Sequence, residues 1–571
     1  MTIAVPGTIR IGTRGSALAL VQARLVADAL RASGADVAIE TIATDGDRRL
    51  PDTTWGEGAF VTAIEQALIS GAIDVAVHSA KDIPTDEEPR LTIAAFLPRE
   101  GPEDVLVLPA GQRVTGLDAL PVGARVGTDS PRRSAFLRAV RPDLCVHPLH
   151  GNVDTRLRRL DAGETDALVL AAAGLRRLGR ADRIAQVLDF ATMPSAPGQG
   201  ALAVQVRAAD TATRRSVAKH DDADTRRSVQ AERRLLQASG GGCRAPVGAM
   251  GRIVDGRLDL RAGFASVDGR VAVTAASVGA VGGATDETGE DDGSVVAAVL
   301  ADLAARAVER SAADAARPRV VVTRPMADAV GAVLALIDRG AAPVVVPAIA
   351  FAPPHQHDID ELDAALAAPD PAAWVVLTSA RAVHALVDHV SGAGGPALAG
   401  LGSHWAAVGE ATARAARRAG IVVDFQPKAA TGRALADGLP LHEGDRIVVP
   451  RGDLADADLP RRLAERGAHV EELVVYRTIE GLSSSSSALE RAVASSPAAV
   501  VMASGSAVRG WLRLADAHGL GTRVRSIPVV AIGPTTAREA RSHGLHVLEE
   551  STSPAPTDIA TAVATALAIP N

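Results

Sequence analysis

Short apolar runs alternate with stretches of helical periodicity through the first half of the chain. Residues 9–12 and 73–79 are apolar runs of strand length. Between residues 17 and 31, apolar side chains such as Leu18, Val21 and Leu25 recur at helical intervals, which predicts an amphipathic helix. Alternating strands and helices predict an α/β fold with parallel sheets, in which ligands bind at the carboxyl edges of the strands.

A strand–turn–helix pattern occurs twice in residues 319–571. Segment 377–383 (LTSARAV) resembles 502–508 (MASGSAV), and segment 407–417 (AVGEATARAAR) resembles 531–541 (AIGPTTAREAR). The repeat predicts two similar α/β domains that face each other, with serine and glycine turns lining a cleft. Small residues also suit such turns for folding reasons alone, so the repeat indicates shared architecture and does not prove chemistry.

A glycine-rich loop follows a helix predicted at residues 225–237. Its sequence, SGGGCRAPVG over residues 239–248, contains glycines that can end a helix in the left-handed conformation, and Pro246 stops any continuation. The pattern places the thiol of Cys243 on a loop with little side-chain bulk around it. A small buried core residue is the more common fate of a free cysteine, and this loop alone leaves both interpretations open.

Composition narrows the class of protein. A chain of 571 residues predicts about four domains, and a formal net charge of -7 gives no basic excess for binding nucleic acid. Two cysteines, Cys145 and Cys243, make no disulfide framework, and no Cys/His cluster suggests a metal. The sequence shows neither a signal peptide nor an apolar stretch of about 20 residues, so we expect a cytoplasmic protein without a membrane partner.

Polar residues follow two of the predicted strands. Arg14 and Ser16 lie where the first strand meets a helix N-terminus, a position that favours an anion. Ser79, Lys81 and Asp82 follow the strand at 73–79, and lysine is rare in this chain, with three in all. A carboxylate at a sheet edge could protonate a leaving amine or stabilise a developing cation. The alternative is a local Lys–Asp pair on the surface.

Arginines also occupy the first turns of two later helices. Ser130 is placed to cap one helix, which puts Arg132 and Arg133 in its first turn, where the helix dipole disfavours cations. Such arginines make sense if they meet an anionic ligand. The segment 151–156 repeats the arrangement of strand, turn and arginine-bearing helix. Three arginine-bearing loops at one sheet edge predict a substrate with several carboxylates.

Residues 9–310 resemble the hydroxymethylbilane synthase family, also called porphobilinogen deaminase. The matching segments, in order, are IRIGTRGSALALVQA, VAVHSAKDIPT, RVGTDSPRRSAFL, HGNVDTRL, MPSAPGQGAL and GGGCRAPVGA. The resemblance implies two periplasmic-binding-protein-like α/β domains and a small α/β domain that carries the cysteine. The implied boundaries are 1–102 with 198–220 for deaminase domain 1, 103–197 for deaminase domain 2, and 221–310 for the cysteine domain.

The resemblance also implies residue roles. Cys243 would carry a dipyrromethane cofactor through a thioether, and Asp82 would be the catalytic carboxylate that assists ammonia loss from porphobilinogen. The positions that would hold the acid groups of cofactor and substrate are Arg14, Ser16, Ser79, Lys81, Thr128, Ser130, Arg132, Arg133, His150, Gly151, Asn152, Arg156 and Gln199. Two residues depart from the family pattern. His150 replaces a usual arginine and Glu57 replaces a common lysine, so each removes a cation from the expected cleft.

Residues 319–571 resemble the uroporphyrinogen-III synthase family. The matching pieces are VVVTRP, VVLTSARAVHAL, AAVGEATARAARRAG, VVYRT, VVMASGSAV and VVAIGPTTAREA. The resemblance implies cyclase domain 1 at 319–350 and 480–571, cyclase domain 2 at 351–479, and a linker at 311–318. Tyr476 would donate a proton to the leaving hydroxyl of hydroxymethylbilane. The expected substrate contacts are Thr378, Ser379, Arg381, Ser504, Gly533, Thr535 and Thr536.

The expected function is therefore bifunctional. Four porphobilinogen units would be polymerised to hydroxymethylbilane, which would then be dehydrated and cyclised to uroporphyrinogen III with inversion of the last ring. The partners are small-molecule substrates, and we expect a monomer that binds no metal. One alternative is a small-molecule binding or sensing protein, against which Cys243 and Asp82 count. Another keeps the deaminase and makes the second half a scaffold or regulatory module.

Overall fold

A computed structural model describes residues 7–43, 61–85, 88–112, 116–240, 245–280, 290–393, 398 and 401–569. Within these residues the strands form five sheets, four of five strands and one of three. The predicted alternation of strands and helices is confirmed. None of the described helices is long and apolar enough to cross a membrane.

The first sheet is built mainly from the start of the chain. Its opening elements are β1 Ile9–Thr13, α1 Ala17–Ala32, β2 Val37–Thr41, α2 Thr62–Ile69, β3 Val75–Ser79, the 3-10 turn Ala80–Asp82 and β4 Leu91–Phe96. β1 pairs in parallel with both β2 and β3, so the ends of β1 and β3 lie at the same carboxyl edge. This edge carries the predicted residues Arg14, Ser79 and Asp82.

The second sheet follows, with strand order β7–β6–β8–β5–β9. Its elements are β5 Asp104–Val107, the 3-10 turn Leu117–Ala119, β6 Arg125–Gly127, α3 Pro131–Val140, β7 Cys145–His147, α4 Val153–Asp161, β8 Ala167–Ala171, α5 Ala172–Arg177, the 3-10 turn Ala181–Arg183 and β9 Ile184–Val187. The chain then returns to the first sheet, where β10 Leu202–Arg207 runs antiparallel between β3 and β4, and α6 Thr211–Ala218 follows.

The third sheet is an antiparallel meander covered by two long helices. Its elements are α7 Ala223–Ala238, β11 Val247–Val254, β12 Arg257–Ala265, β13 Ala272–Ala280 and α8 Glu290–Ala312. α7 begins after Asp222, whose side chain accepts from the Thr225 amide at 2.8 Å. The helix predicted at residues 225–237 is therefore confirmed.

The last two sheets share the second half of the chain. The first elements are β14 Arg319–Val322, α9 Met326–Asp338, β15 Ala342–Val345, β16 Ile349–Ala352, α10 Gln356–Leu366, β17 Ala372–Leu377, α11 Ala380–Ala393, β18 Gly402–Ala407, α12 Glu410–Arg418, α13 Gly432–Gly438, β19 Arg446–Gly452, α14 Asp458–Glu465 and β20 His469–Glu480. The chain continues with the 3-10 turn Ser483–Ser485, α15 Ser486–Ala494, β21 Ala499–Met502, α16 Gly505–Ala517, α17 Gly521–Arg525, β22 Val529–Ala531, α18 Pro534–Ser542, β23 Val547–Glu550 and α19 Pro556–Ala566.

The strand orders show how the chain crosses between these two sheets. The fourth sheet is β15–β14–β21–β22–β23, and the fifth is β16–β20–β19–β17–β18. β16 and β20, antiparallel neighbours, are the strands by which the chain enters and leaves the fifth sheet. Both copies of the sequence repeat form strand, small turn and helix, as predicted.

The junction between the two halves differs from the linker predicted at 311–318. α8 continues to Ala312, Ser311 is fully buried, and the Arg317 side chain is only 3% exposed. One hydrophobic core joins α7 and α8 to α9, α19 and the fourth sheet, with Leu303, Val333 and Val563 among its buried members. Because apolar residues of α8 pack on both sides, the two halves meet in a packed joint. Ser311 and Arg317 are buried in it, whereas Ala313, Ala315 and Ala316 are exposed.

Candidate active sites

The first candidate site lies at the carboxyl edge of the first sheet. Arg14, Ser16, Ser79 and Asp82 line one cavity of about 80 Å³. The Asp82 side chain is exposed at the end of the turn that follows β3. The structure thus brings four predicted residues together and leaves the carboxylate accessible to a ligand.

Gln22 belongs to this site and was not predicted. It is buried on α1, and its Nε2 donates to Ser79 Oγ at 3.0 Å. A polar residue on the buried face of an amphipathic helix is the signal that could have identified it. The contact fixes the Ser79 hydroxyl beside the cavity that contains Asp82.

A buried polar network connects the first and second sheets behind Asp82. Lys81 Nζ donates to Gln199 Oε1 at 3.2 Å, and Gln199 Nε2 donates to Asp104 Oδ1 at 2.9 Å. Asp104 also pairs with Arg132 Nη2 at 2.8 Å and with Arg133 Nη2 at 2.7 Å. Lys81 is therefore part of a network between sheets, which argues against the alternative of a local surface pair with Asp82.

Asp104 explains why two arginines are tolerated at a helix N-terminus. Ser130 caps α3 by accepting from the Arg133 amide at 3.4 Å, so both guanidinium groups are in the first turn, as predicted. We expected an anionic ligand to meet them, and the structure supplies the buried Asp104 carboxylate. Burial opposes its ionisation, but Arg132 and Arg133 outweigh that and hold the pKa of Asp104 well below its usual range.

The loops after β6 and β7 bring the remaining predicted residues to the second sheet. Asn152 caps α4 by accepting from the Thr155 amide at 2.9 Å. Asp129 lies between the Arg156 guanidinium and the His150 ring, with Arg156 Nη2 at 2.8 Å and His150 Nδ1 at 3.0 Å. His150 therefore shares Asp129 with Arg156, at the position where the family pattern has an arginine.

Gly151 and Thr128 support these loops. Gly151 has a φ of +123°, a conformation that favours glycine, and a Cβ there would lie 2.9 Å from Thr155 Cγ2. Thr128 is buried, and its Oγ1 accepts from the Ser130 amide at 3.3 Å. Both residues therefore fix backbone geometry around the arginine-bearing helices.

The helix that precedes the cysteine loop contacts the loop after Asp82 directly. Arg233 of α7 donates to the carbonyls of Ile83 and Pro84, at 3.0 and 2.8 Å, immediately after Asp82. Glu232 is fully buried and accepts from the Gly198 amide at 2.6 Å and from Arg99 Nη1 at 2.6 Å. These contacts fix α7 beside Asp82, and neither residue was predicted.

Cys243 and Glu57 lie outside the described residues. Gly240 has a φ of +71° just after α7, which confirms that a left-handed glycine ends this helix. The described chain resumes at Ala245. The position of the Cys243 thiol and the choice between an exposed and a buried cysteine stay predictions.

The second candidate site lies where the fourth and fifth sheets meet. Arg381 Nη2 pairs with Asp328 Oδ1 at 2.6 Å, so the start of α11 contacts the start of α9. The Arg381 guanidinium also lies over the Phe351 ring, 3.6 Å from its centroid. Phe351 in turn packs edge-on against Tyr476, with ring centroids 5.6 Å apart. Arg381 and Tyr476, both predicted, are thus connected through an aromatic ring that was not predicted.

Arg324 adds a second cation near Arg381. Burial and the nearby Arg381 lower the pKa of Arg324, while Asp328 opposes that shift. Arg381 thus pairs with Asp328, and Arg324 lies close enough to be influenced by the charges of both. Arg324 follows β14 in the VVVTRP segment, so a cation at a strand end was the signal in the sequence.

The remaining cyclase residues form two groups at different sheet edges. Ser379 Oγ accepts from the Ala382 amide and Ser504 Oγ accepts from the Ala507 amide, each at 3.1 Å. Thr378 lies beside Ser379 at the fifth sheet. Gly533, exposed Thr535 and buried Thr536 lie with Ser504 at the fourth sheet. The Thr378 and Ser379 turn belongs to the fifth sheet, as Arg381 does, and the Ser504 group belongs to the fourth sheet, as Asp328 does.

Comparison with known proteins separates the two halves. Residues 9–215 match the family model "Porphobilinogen deaminase, dipyromethane cofactor binding domain", and residues 227–302 match "Porphobilinogen deaminase, C-terminal domain". The porphobilinogen deaminases of Mycobacterium tuberculosis and Mycobacterium marinum are each 47% identical to this chain over 308 residues. The matches cover 52% of this chain and 97% and 96% of those proteins, respectively. The chain belongs to the porphobilinogen deaminase family. It therefore uses the dipyrromethane cofactor of that family.

The second half matches a different family. Residues 332–560 match the family model "Uroporphyrinogen-III synthase HemD". A mutant uroporphyrinogen-III synthase from Thermus thermophilus covers 44% of this chain and 99% of its own, with 19% identity and a TM-score of 0.34. The uroporphyrinogen-III synthetase of Helicobacter pylori covers 44% of this chain and 99% of its own, with 17% identity and a TM-score of 0.30. With both families in one chain, the protein is a bifunctional enzyme of tetrapyrrole biosynthesis.

The residues around Asp82 fit an acidic cofactor. Dipyrromethane carries acetate and propionate groups, which require cationic partners. Among the residues that the structure describes around this site, three are carboxylates, Asp82, Asp104 and Asp129. Five are cations, namely Arg14, Lys81, Arg132, Arg133 and Arg156. The site therefore has an excess of positive charge with which to bind carboxylates.

The charge of Lys81 is expected to be lost as the pH rises through about 8. Burial and the neighbouring Arg133 lower the pKa of its ammonium to about 8, so the neutral amine predominates above that pH. Acylation of the full-length chain across a pH series, with peptide mapping, can follow this residue because Lys219 and Lys428 are the other two lysines. In Cys243→Ser protein, which lacks the thiol predicted to carry the cofactor, we expect Lys81 reactivity to level off above about pH 8.

Lys81 is expected to react differently in wild type, which carries the bound cofactor, and in Cys243→Ser protein. Bound carboxylates stabilise the ammonium, so the midpoint for Lys81 should move to higher pH in the cofactor-loaded chain. Lys219 and Lys428 are the internal references in both proteins. Reactivity of Lys81 that is identical in the two proteins would contradict its assignment to the cofactor site.

Proposed function

We propose that the first half of the chain joins four porphobilinogen units at Asp82 and that the second half closes the resulting hydroxymethylbilane at Tyr476. The dipyrromethane, attached to Cys243, supplies the terminal pyrrole carbon to which the first unit is joined. The observation that carries the first assignment is the position of Asp82, which is exposed and lines one cavity with Arg14. The loop directly after Asp82 is held by Arg233 of the helix that leads to Cys243.

Asp82 is proposed to perform the chemistry of deamination. Its carboxyl group donates a proton to the amine of porphobilinogen as the C–N bond breaks, which releases ammonia. The carboxylate that remains stabilises the positive charge that develops on the pyrrole. Its exposure suits both roles, because each new substrate must reach the same side chain.

The cations around Asp82 are proposed to hold the acid groups of cofactor and substrate. Arg132 and Arg133 already pair with Asp104, so they act through their remaining N–H groups and their field. Arg14 lines the Asp82 cavity, and Lys81 lies behind it. The hydroxyl groups of Ser16, Ser79, Thr128 and Ser130, with Gly151, Asn152 and Gln199, complete the proposed contacts. Every added unit brings two carboxylates, so a broad cationic surface is required.

Tyr476 is proposed as the proton donor of the cyclase. The phenol protonates the leaving hydroxyl of hydroxymethylbilane, and ring closure follows with inversion of the last pyrrole. A side chain on Gly452 would lie 2.6 Å from the Tyr476 ring, so the close approach of β19 fixes the phenol. Arg381 would bind one substrate carboxylate. Thr378, Ser379, Ser504, Gly533, Thr535 and Thr536 would hold the others from the two sides of the cleft, so enforced geometry contributes much of the rate.

The sheets support the proposed division of the chain. We propose deaminase domain 1 at 1–102 with 198–220, domain 2 at 103–197 and the cysteine domain at 221–310, which coincide with the first three sheets. Cyclase domains at 319–350 with 480–571 and at 351–479 follow the fourth and fifth sheets closely. Their boundaries fall within β16 and at the last residue of β20, both of which are strands of the fifth sheet. A monomer in the cytoplasm is also proposed, in keeping with the composition.

Replacing Tyr476 with phenylalanine tests the second activity. It is the single tyrosine of the chain, and the change removes one hydroxyl group while keeping the ring against Phe351. We expect the conversion of supplied hydroxymethylbilane to uroporphyrinogen III to fall by about 10²-fold, at the low end for loss of a general acid. Porphobilinogen consumption by the same protein is the internal control and should be unchanged. A variant that cyclises at the wild-type rate would contradict the role of Tyr476.

A further inference from the structure

A cavity of about 740 Å³ lies between the two halves of the chain. Its deaminase walls include Thr85, three residues after Asp82, and Gly240 and Ala245, which flank the cysteine segment. Its cyclase walls include Arg414 of α12 and Thr557 at the start of α19. The cavity therefore extends from the catalytic part of the deaminase to the cyclase.

The cyclase side of this cavity adjoins the carboxyl edges of both cyclase sheets. α12 follows β18, which is parallel to β17, the strand that precedes Thr378 and Ser379. The loop before α19 follows β23, which is parallel to β22, the strand that precedes Gly533. A ligand in the cavity would therefore lie next to the turns assigned to substrate binding.

The two halves are held firmly around the cavity. Gly240 and Gly331 are in backbone contact: a Cβ on either would lie 3.2 Å from the Cα of the other, and a Cβ on Gly240 would lie 2.5 Å from Pro556 Cγ. Asp338 Oδ1 accepts from the Val267 amide at 2.8 Å. Together with the shared hydrophobic core, these contacts make the cavity walls a fixed part of the fold.

The lining suits a molecule with apolar rings and acidic side groups. The exposed residues Ala411 and Pro554 supply apolar surface, whereas Arg339 and Arg414 supply positive charge. Asp338 is the one carboxylate among the described lining residues, and burial raises its pKa, which weakens its repulsion of an anion. The volume is within the range of about 300–1,000 Å³ that is typical of small-molecule pockets.

We propose that this cavity binds hydroxymethylbilane after its release from the deaminase and retains it for the cyclase. The inference rests on the proposed function and adds a binding site between the two catalytic ones. Pyrrole rings would pack on the apolar wall, and propionate and acetate groups would meet Arg339 and Arg414. Retention limits the escape of an intermediate that can close in solution to the wrong isomer.

Isotope dilution in the full-length chain tests the proposal. The protein is given ¹³C-labelled porphobilinogen together with an excess of unlabelled hydroxymethylbilane, and the label in uroporphyrinogen III is measured by mass spectrometry. Wild type is expected to give product richer in label than the hydroxymethylbilane in solution. Thr557→Trp, which fills the cavity from an exposed position, and Arg414→Ala, which removes a cation, should both lower that excess.

Controls separate this proposal from the activities themselves. Arg525, on α17, pairs with Asp516 at 2.8 Å and is not among the residues that line the cavity. Arg525→Ala should therefore keep the wild-type excess of label. Each variant is also assayed for porphobilinogen consumption and for cyclisation of hydroxymethylbilane supplied alone. Wild-type product with the isotope ratio of the solution pool, or an undiminished excess in both cavity variants, would overturn the proposal. Failure of wild type to cyclise supplied hydroxymethylbilane would overturn the proposed function and this inference together.

Discussion

Replacing Cys243 with serine is expected to abolish porphobilinogen consumption. A serine hydroxyl is a far weaker nucleophile than a thiolate, so the dipyrromethane should not become attached. Intact-mass analysis should show wild type heavier than its sequence by one covalent dipyrrole and the variant at its sequence mass. The chain offers a matched control in Cys145, which is exposed at the start of β7.

Cys145→Ser should retain both the bound dipyrrole and the activity. The two variants together identify the attachment site, because the chain contains no third cysteine. A covalent dipyrrole that persists in Cys243→Ser protein and disappears in Cys145→Ser protein would contradict the assignment. Consumption of porphobilinogen at the wild-type rate by Cys243→Ser protein would likewise exclude Cys243 as the attachment site.

Replacing Asp82 with asparagine is the second change with a large expected effect. The amide has nearly the same shape but cannot donate the proton or carry the negative charge, so kcat for deamination should fall by about 10²–10⁴-fold. Among the described residues, α7 is held to this loop by the Ile83 and Pro84 carbonyls and not by the Asp82 side chain, so the change should leave the fold in place. Cyclisation of supplied hydroxymethylbilane by the same protein should therefore be unchanged.

Asp28 provides a matched control for the loss of a carboxylate. It lies on α1 with 71% of its side chain exposed and pairs only with Arg31 among its described contacts. Asp28→Asn should keep the wild-type rate. Asp82→Asn protein with a rate within a few-fold of wild type would rule out Asp82 as the catalytic acid.

Local rules account for the parts of the site that could be predicted from the sequence. Ser130 and Asn152 cap their helices as expected, because a cap depends on residues three positions away. The strands could also be predicted, because a short apolar run is a local feature of the sequence. Gly240 ends α7 in the left-handed conformation, which the glycine run also indicates. The grouping of predicted residues around Asp82 was predictable because they come directly after parallel strands, whose ends lie at one edge of the sheet.

The partners of buried charges could not be predicted in this way. Asp104 meets Arg132 and Arg133 only because the fold brings the start of α3 next to the start of β5. Glu232 meets Arg99 across the interface between α7 and the first sheet. Nothing in the spacing of these residues indicates such contacts. The same reason explains why sequence reasoning missed Asp328, which pairs with Arg381 from a different sheet.

The junction at 311–318 shows a related limit. Its polar and small residues are typical of a linker, yet Arg317 is buried, donates to the Ile337 carbonyl at 2.7 Å and pairs with Asp268 at 2.7 Å. A buried guanidinium with several acceptors stabilises a contact between domains. Composition alone does not distinguish such a joint from a mobile connection, because the partners lie far away in the sequence.

The most direct test of the account gives porphobilinogen alone to the purified full-length chain and identifies the isomer of the product after oxidation to the porphyrin. The account predicts that ammonia is released and that the type III isomer is formed without any added cyclase. Formation of the type I isomer, or accumulation of hydroxymethylbilane with no type III product, would contradict the claim that this one chain carries both activities.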